Sequence, residues 1–397
     1  MFSILINYFF SRVVLSSDAE TKKRCFYLSL VFNVSLLLIC KIKYDDWLAG
    51  VIPLGISFYT FQQIGFQYDL FSKKIKHTLF SEYLFIISFF PHLAAGPIVA
   101  YKNHLAQIRS EKWKTQPLSL TLPNLSLLII GLAKKVLIAD QISPLVSQAY
   151  SLASNLHSQL NLEHFLLSTF GYGFEIYFDF SGYSDIAMAL ALIIGIELPI
   201  NFNSPYKSQN IIVFWRRWHI SLSSFIREYF YNPLRERFES LYSKFIIIFF
   251  VMVIVGLWHG IGWMFLFWGL AHGILLAANH FFNHLNCRMP KFISFLLTYV
   301  SVNLLWLLFN NINSSSVLRL LQSAQNPVIT NKSFILAVLF LAVTSAPNSI
   351  AIFDWVHTQF ENQRKSLRSL YLLCLIMIGI LVILFSEDQN EFIYFRF

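Results

Sequence analysis

Residues 245–279 read FIIIFFVMVIVGLWHGIGWMFLFWGLAHGILLAAN, an almost uninterrupted apolar run. It contains no Asp, Glu, Lys or Arg, and its only ionisable side chains are those of His259 and His272. A helix crosses a bilayer core with about 20 apolar residues, so the run is long enough to enter a membrane, break and continue. The expected break is marked by glycines around Trp258 and His259, at positions 256, 260 and 262. We expect His259 to lie at membrane depth, beside backbone that bends closely around a substrate.

Two interpretations of His259 stay open on this stretch alone. An ionisable side chain inside a membrane is costly and is therefore a candidate for function. The alternative is a core histidine that only hydrogen-bonds a neighbouring carbonyl group. The remainder of the chain has to separate the two.

The composition is typical of a polytopic α-helical membrane protein. Of the 397 residues, 56% are hydrophobic and only 13% are charged, and the mean hydropathy is +0.56. No soluble domain needs so much apolar surface, and the apolar runs are continuous rather than alternating, which argues against an outer-membrane barrel. The formal charge of +9 comes from short basic clusters between apolar runs, as in loop anchors, so nucleic-acid binding is not expected.

No metal site and no bound cofactor are expected. The four cysteines lie far apart without CxxC or zinc spacing, so they indicate neither disulfides nor a metal. His280 and His284 form an HxxxH pair that could bind a metal, but the carboxylate partner of motifs such as HExxH is missing. The sequence also lacks a phosphate-binding glycine loop, a GxSxG motif and a kinase motif.

The apolar runs along the chain predict roughly ten or eleven membrane crossings within one domain, residues 1–397. Several runs are shorter than about 20 residues, so re-entrant and interfacial helices are expected among the crossings. The runs at 26–40 and 79–100 are basic at both ends, so a simple alternating positive-inside topology fails.

The segment at 204–242 is too polar to span, so it is predicted to lie along the membrane interface or to line a cavity. His219 borders the apolar stripe of this segment and faces the protein body, whereas Arg216 and Arg217 lie off the stripe. An interface helix anchored by the two arginines is the structural alternative to a functional site. The stripe follows 4-3-4-3-4 spacing, which predicts one amphipathic helix: Ile211, Trp215, Trp218, Leu222, Phe225 and Tyr229.

Carboxylates lie among aromatic residues at 170–189. Glu175 and Asp179 share a helix face, and Asp185 joins them only if Ser181-Gly182 breaks the helix. Carboxylates in so apolar a setting must face a cavity or pair with cations. We expect them to pair with the arginines of the amphipathic segment.

Taken together, these stretches resemble the membrane-bound O-acyltransferase family, and within it the bacterial polysaccharide branch typified by the membrane subunit of alginate O-acetylation. The combination of WRRWHISLS and LWHG is highly specific, unlike either motif alone. The resemblance covers most of the chain, in these segments: IPLGISFYTFQ (52–62), FFPHLAAGPI (89–98), GLAKKVLIAD (131–140), YFDFSGYSDIAMALA (177–191), NFNSPY (201–206), FWRRWHISLSSFIREYFYNPL (214–234), GLWHG (256–260) and FIYFRF (392–397).

The resemblance implies a ring of tilted transmembrane helices, with re-entrant segments, around a central tunnel. It also implies that His259, in the LWHG position, is the central catalytic residue and that His219 is tied to activity. An acyl thioester, acetyl-CoA above all, is expected to approach from the cytoplasm, and the acyl group to appear on the outer side of the membrane. The residues expected to line the tunnel or touch a substrate are Trp258, Trp215, Trp218, Arg216, Arg217, Asp179, Asp185 and Asn203.

The chain departs from the family pattern in three places. The family usually has further hydrophobic sequence before its first recognisable loop, so residues 1–50 are interpreted as N-terminally shortened. Residues 235–237, Arg-Glu-Arg, replace the usual Gly-Gly turn after the amphipathic helix, and residues 66–70 differ from the family's Tyr-rich segment. These departures concern partner docking or acceptor choice rather than the chemistry.

The sequence therefore predicts a multi-pass acyltransferase of the bacterial cytoplasmic membrane. It would move an acetyl group toward hydroxyls of an extracytoplasmic polysaccharide, directly or through a separate extracytoplasmic acetyltransferase, with His259 as general base or acyl relay. The alternatives are transfer of D-alanyl or another acyl group to a cell-wall polymer, a proton-coupled transporter or flippase, and an inactive scaffold that recruits partners.

Overall fold

The structure, a computed structural model, describes residues 1–42, 54–110, 113, 121–310, 313–361, 365–386 and 392–393. Pro53, one of the residues of the IPLGISFYTFQ motif, and positions 394–397 of the aromatic ending lie outside the described residues. All regular structure in the described residues is helical, in this order: α1 (Phe2–Ser16), α2 (Ala19–Ile42), α3 (Ile56–Phe71), α4 (Phe80–Ile87), α5 (Phe90–Leu93), α6 (Tyr101–Arg109), α7 (Leu122–Ser154, with a π-turn at Lys134–Ala139), α8 (Leu162–Ile194, with a π-turn at Leu167–Gly171), a 3₁₀ turn (Pro205–Lys207), α9 (Ile211–Trp215), α10 (Ile220–Ile226, continued by a π-turn at Arg227–Tyr231), α11 (Asn232–Arg237), α12 (Leu241–His259), α13 (Trp263–His284), α14 (Lys291–Phe309), α15 (Ser314–Ser323), a 3₁₀ turn (Asn331–Ser333), α16 (Phe334–Ser345), α17 (Ser349–Glu361) and α18 (Lys365–Leu384).

Six helices of the described residues are long and apolar enough to cross a membrane, namely α2, α7, α8, α12, α13 and α14. They confirm an α-helical, multi-pass membrane protein. A seventh span results if Asn331–Ser345 and Ser349–Gln359, which are bent by 52°, cross as one unit. The expected ten or eleven crossings and the ring around a tunnel stay predictions, because several apolar runs fold as helices too short to span.

The stretch at 245–279 folds as two helices, with the break where the glycines predict it. α12 ends at His259 and α13 begins at Trp263, with extended backbone between them. The helices cross closely at Gly256 and Gly269: a Cβ built on Gly256 would lie 2.3 Å from the Phe265 carbonyl oxygen. Small residues at a crossing let membrane helices approach in this way. This crossing fixes the end of α12 and therefore the position of His259.

The amphipathic segment is broken, so the prediction of one continuous helix is wrong. Residues 216–219 separate α9 from α10, and His219 adopts φ 44° and ψ 54°, in the left-handed region. The Ile220 N–H donates to the Asn201 carbonyl at 2.9 Å, so the chain bonds to the preceding loop instead of continuing the helix. Tertiary hydrogen bonds override local helix preference here, although the apolar residues keep helical spacing.

Helices α1, α2 and α3 are joined by a buried amide network, formed by Asn7, Asn33, Gln63 and Gln67. Asn7 and Asn33 exchange hydrogen bonds, because Nδ2 of each donates to Oδ1 of the other, at 3.0 and 2.7 Å. Asn7 also donates to Gln63 Oε1 at 3.0 Å, and Gln67 donates to the Asn7 carbonyl at 2.7 Å. In apolar surroundings such bonds hold helices together, so the amide network fixes α1 and α2 against α3.

Asp179 and Asp185 of α8 pair with lysines of α7, and not with arginines as expected. Lys135 Nζ lies 2.8 Å from Asp179 Oδ1, and Lys134 Nζ lies 2.6 Å from Asp185 Oδ2. α7 packs along α8, so its two consecutive lysines reach the acids directly. α8 is unbroken at 181–182, and each aspartate therefore has its own lysine.

Candidate active site

His259, the last residue of α12, has a buried side chain among aromatic rings. Its ring centre lies 4.7 Å from Trp258, 5.5 Å from Trp268 and 4.8 Å from Phe309, in edge-to-face arrangements. These rings exclude bulk water, and electrostatic interactions are stronger where water is excluded. The surroundings suit an imidazole that exchanges a proton with a substrate.

His219 is held by Asn201, a residue that the sequence analysis did not select. His219 Nδ1 lies 3.0 Å from Asn201 Oδ1, and Ser221 Oγ donates to the same oxygen at 2.9 Å. An amide oxygen only accepts, so Nδ1 carries the hydrogen and Nε2 keeps the lone pair of the neutral ring. His219 lies outside the six spans, and burial lowers its pKa to about 3, so the ring is neutral near pH 7.

The backbone of His219 adds a second indication of function. A left-handed conformation costs a non-glycine residue roughly 1–2 kcal/mol. Such strained residues cluster at active sites, where the surrounding structure enforces them. Here Asn201 supplies that enforcement, because its carbonyl accepts from the Ile220 N–H and its side chain accepts from His219.

Trp258 brings the two histidines into one site. Its ring centre lies 4.7 Å from that of His259 and 6.5 Å from that of His219, and Phe61 stacks on it at 4.9 Å. The structure therefore brings together the two histidines that the sequence singled out.

Two buried indole N–H groups beside His259 have no hydrogen-bond acceptor within the described part of the chain. They belong to Trp258 and Trp268, whose side chains are 6% and 1% exposed. A buried donor without an acceptor costs about 1–3 kcal/mol, so such groups in native structures need an explanation. They are therefore available to hydrogen-bond a bound molecule that carries an acceptor.

Trp218 and Trp215, both expected to line a tunnel, take different places. Trp218 is 2% exposed and packs between Phe214, at 5.6 Å, and Trp306, at 4.9 Å, as a core residue does. Trp215 is half-buried, and its indole Nε1 donates to His272 Nδ1 at 3.3 Å. His272, the other ionisable residue of the apolar run at 245–279, thus accepts a hydrogen bond from a tryptophan.

A pocket of about 390 Å³ lies between the amphipathic segment and helices α12 and α13. Its walls are mostly apolar, and one of them includes Val255, about one helical turn before His259. Basic side chains line it without any carboxylate: Arg216, Arg227, Lys244 and His280. Among the described residues, no acidic side chain pairs with Arg216, Arg227 or Lys244. The pocket therefore suits a phosphate-bearing molecule with an apolar part.

Asn203 and Arg217 do not line this pocket, and their contact with a tunnel or a substrate stays a prediction. The Asn203 side chain is exposed, and its Oδ1 accepts from Asn348 Nδ2 at 2.9 Å. Arg217 contributes its carbonyl, which accepts from the Asn203 N–H at 3.0 Å. Of the two asparagines in NFNSPY, the structure gives His219 the first, Asn201. Spacing alone offers no signal that distinguishes them.

Asp179 and Asp185 are engaged in their lysine pairs, and Asp179 Oδ2 also accepts from the Ile393 N–H at 2.9 Å. α8 reaches the histidines through Phe180, whose ring centre lies 4.7 Å from that of His219. The structure shows the aspartates holding helices together, and their lining of a tunnel stays a prediction.

Lys41 reaches the end of α12 from α2, and sequence reasoning passed over it. Its Nζ donates to the Trp258 carbonyl and, at 3.1 Å, to the His259 carbonyl. In the sequence Lys41 is one of several basic residues at the end of an apolar run, and nothing local connects it with a histidine 218 positions later.

Known proteins match this chain along most of its length. The model of the membrane-bound O-acyltransferase (MBOAT) family matches residues 13–319. A peptidoglycan O-acetyltransferase of Helicobacter pylori is 32% identical over 467 residues, which cover 100% of this chain and 86% of that protein. A probable alginate O-acetylase of Azotobacter vinelandii is 36% identical over 228 residues, 57% of this chain and 44% of that protein. A teichoic acid D-alanyltransferase of Streptococcus thermophilus is 30% identical over 242 residues, 57% of this chain and 56% of that protein.

Proposed function

Because the chain belongs to the membrane-bound O-acyltransferase family, we propose that it moves an acetyl group from a cytoplasmic thioester toward a hydroxyl of an extracytoplasmic polysaccharide. The family and the relatives it includes make the chain an acyltransferase. Family membership leaves open the acyl group, its donor, its acceptor and the catalytic residues, and we propose each of these. One observation carries it: His259 is buried at the end of a membrane-spanning helix, against the same indole ring as His219.

Peptidoglycan is the acceptor that we propose. A relative that matches this chain over its full length is named a peptidoglycan O-acetyltransferase, whereas the alginate and teichoic acid relatives above each match 57% of it. Peptidoglycan lies outside the cytoplasmic membrane, so the proposal places the chain in that membrane with the acetyl group crossing it. A separate extracytoplasmic acetyltransferase that receives the acetyl group and completes the transfer fits the same chemistry.

In the proposed reaction, the hydroxyl oxygen attacks the thioester carbonyl carbon while the His259 imidazole takes the hydroxyl proton. The carbon–sulfur bond then breaks, the thiolate takes that proton, and the products are an ester and a free thiol. Base catalysis by a positioned histidine contributes about 10²- to 10⁴-fold. The same ring can instead relay the acyl group, if its nitrogen bonds the acyl carbon before the hydroxyl does.

The tetrahedral stage places negative charge on the former carbonyl oxygen. We assign its stabilisation to the indole N–H groups of Trp258 and Trp268, which are buried beside His259 and have no acceptor in the described residues. His219 would orient the hydroxyl through Nε2, because Asn201 holds its Nδ1 hydrogen.

The basic pocket is the proposed place of the donor. Acetyl-CoA has a charged phosphate end and a less polar arm that carries the thioester. The pocket likewise has basic side chains and mostly apolar walls. Arg216 serves the phosphates in this assignment, because it lines the pocket and no described carboxylate competes for it. Arg217 does not line the pocket and anchors the segment through its backbone.

The test is ester-linked acetate on peptidoglycan, measured by mass spectrometry of digested cell walls. Cells lacking the chain are complemented with wild type, with His259→Ala or with His284→Ala, at matched membrane levels. His284 is the control, since it is an exposed histidine at the far end of α13. We expect acetate to fall in the deletion and to return with wild type and His284→Ala only.

Two outcomes would contradict the proposal in different ways. Acetate restored by His259→Ala at equal protein level would show that the mechanism is wrong. Unchanged acetate in the deletion, with D-alanyl esters falling instead, would favour the second candidate, D-alanyl transfer, to which the teichoic acid relatives point.

A further inference from the structure

We propose that Lys41 is a positioning residue for His259, because its ammonium group caps the end of α12 and fixes the peptide groups that carry the imidazole. The inference rests on the proposed role of His259. Lys41 Nζ donates to the Trp258 and His259 carbonyls, and it lies 5.8 Å from the centre of the Trp258 ring.

The carbonyls that Lys41 binds have lost their helical donors. A helix leaves its last four carbonyls without intrahelical partners. In α12 the Gly260 N–H returns to the Gly256 carbonyl at 3.3 Å, and the chain then becomes extended. A cation at this end also opposes the partial negative charge of the helix C-terminus. The Lys41 ammonium group therefore donates to the free carbonyls at the α12 end and also opposes the partial negative charge there.

Lys41 is half-buried and has no other partner within the described part of the chain. Among the described residues, no carboxylate pairs with it, although an ammonium group buried in apolar surroundings is costly. Its neighbours are the α12 end and the Trp258 ring, a favourable position for a cation. Among the residues that the structure describes, the α12 end is what holds this charge in place.

The position of Lys41 depends on the N-terminal helices. Lys41 lies in α2 about two helical turns after Asn33, through which the amide network fixes α2 against α1 and α3. The two carbonyls belong to the catalytic residue and its neighbour, so their orientation sets the direction of the His259 side chain. A displacement of about 1 Å at a reacting group can cost about 100-fold in rate.

The experiment compares Lys41→Met, Lys41→Arg, Lys23→Met and His259→Ala, each in the full chain. Lys23→Met is the matched control, because Lys23 lies exposed on the same helix. Membrane vesicles receive radiolabelled acetyl-CoA and peptidoglycan fragments, and initial rates give kcat and KM. We expect Lys41→Met to lower kcat about 10- to 100-fold, with KM for acetyl-CoA within about 2-fold of wild type. Lys41→Arg should restore most of kcat, because a guanidinium keeps the charge and the donors.

Several results would overturn the inference. A kcat for Lys41→Met close to wild type, or a raised KM with unchanged kcat, would remove the positioning role. Equal losses for Lys41→Met and Lys41→Arg at matched membrane level would assign Lys41 to packing alone. If Lys41→Met does not accumulate, Lys41→Gln replaces it with the same thresholds. Full transfer by His259→Ala would overturn the proposed mechanism as well, whereas its loss beside an active Lys41→Met would overturn this inference only.

Discussion

The amide network of α1–α3 and the histidine site at the end of α12 are both buried and polar, but their side chains are bonded differently. In the amide network Asn7 and Asn33 exchange hydrogen bonds. In the histidine site one amide holds one nitrogen of His219, and aromatic rings surround His259. The first arrangement joins helices through pairs of side chains. The second holds His219 through one side-chain amide and encloses His259 in aromatic rings.

The difference separates stability from activity. Side chains that bond one another across helices lose those bonds only when the helices part, so their removal weakens the fold. Around His259, the indole donors of Trp258 and Trp268 have no acceptor in the described residues, and a substrate can use them. We therefore expect substitutions in the amide network to lower stability, and substitutions in the histidine site to lower turnover.

Among substitutions that separate activity from stability, His219→Asn should lower kcat the most. Asparagine tolerates the left-handed backbone at this position, and its Nδ2 can replace His219 Nδ1 as the donor to Asn201. Nothing replaces Nε2, so we expect kcat to fall about 100-fold with little change in stability. The measurements are initial rates in vesicles and thermal unfolding of the purified protein.

His219→Gln is the matched control for that substitution. It extends an amide toward the position of Nε2 but loses the donor to Asn201, so it should lower stability as well as rate. If His219→Asn also unfolds several degrees below wild type at full activity, His219 is a core residue and the contrast fails.

Asn201→Ala should have the next largest effect. It removes the acceptor that sets the hydrogen of His219 on Nδ1, and we expect kcat to fall about 10-fold. Asn203→Ala is the control, because Asn203 is exposed and bonds Asn348. Equal losses for the two variants would mean that the loop at 201–203 acts through its backbone, and not through the Asn201 side chain.

The fold class and the two histidines could be predicted from the sequence because their signals are local. The glycines around Trp258-His259 predicted the break between α12 and α13, which the structure confirms. The LWHG and WRRWHISLS motifs each contain their histidine, so no tertiary information was needed to select His259 and His219. Composition alone indicated a membrane protein, because a soluble domain does not need so many long, continuous apolar runs.

The remaining features depend on contacts between distant residues. The break at 216–219 arises from hydrogen bonds to Asn201, and helical spacing of apolar residues carries no sign of it. The lysine partners of Asp179 and Asp185 follow from the packing of α7 along α8. Periodicity describes the face of one helix but does not identify the neighbouring helix.

Substitutions in the amide network should lower stability without lowering turnover, and the expected change is smaller. Asn7→Ala, Asn33→Ala and the double variant form a cycle that isolates the exchanged hydrogen bonds. We expect a coupling of about 0.6 kcal/mol in the free energy of unfolding, the average for such bonds in membranes. Turnover per folded molecule should change less than about 2-fold in each variant, because α2 still packs along α3 and keeps Lys41 at the end of α12 when the Asn7–Asn33 bonds are lost. A loss of turnover without a loss of stability would show that the two regions are not separable.

The smallest change in stability is expected at a partly exposed ion-pair cluster around Glu228. Glu228 lies 2.9 Å from Lys74 Nζ and also pairs with Lys102. Burial alone would raise the pKa of Glu228, but the hydrogen bonds and charges of Lys102 and Lys74 outweigh it and hold the pKa below 4.5. A carboxylate with a lowered pKa adds stability above its unfolded pKa and loses that contribution as the pH falls through its folded pKa.

Solvent screening keeps this contribution small, since the Glu228 side chain is 33% exposed. We expect Glu228→Gln to lower stability by a few tenths of a kcal/mol at pH 7, and the difference from wild type to vanish as the pH falls from 7 through the lowered pKa of Glu228. Thermal unfolding of both proteins across that range is the measurement. A difference that does not depend on pH would assign Glu228 to packing. The amide network has no group that titrates there, so the Asn7/Asn33 coupling should stay constant over the same range, and a change in it would break the comparison.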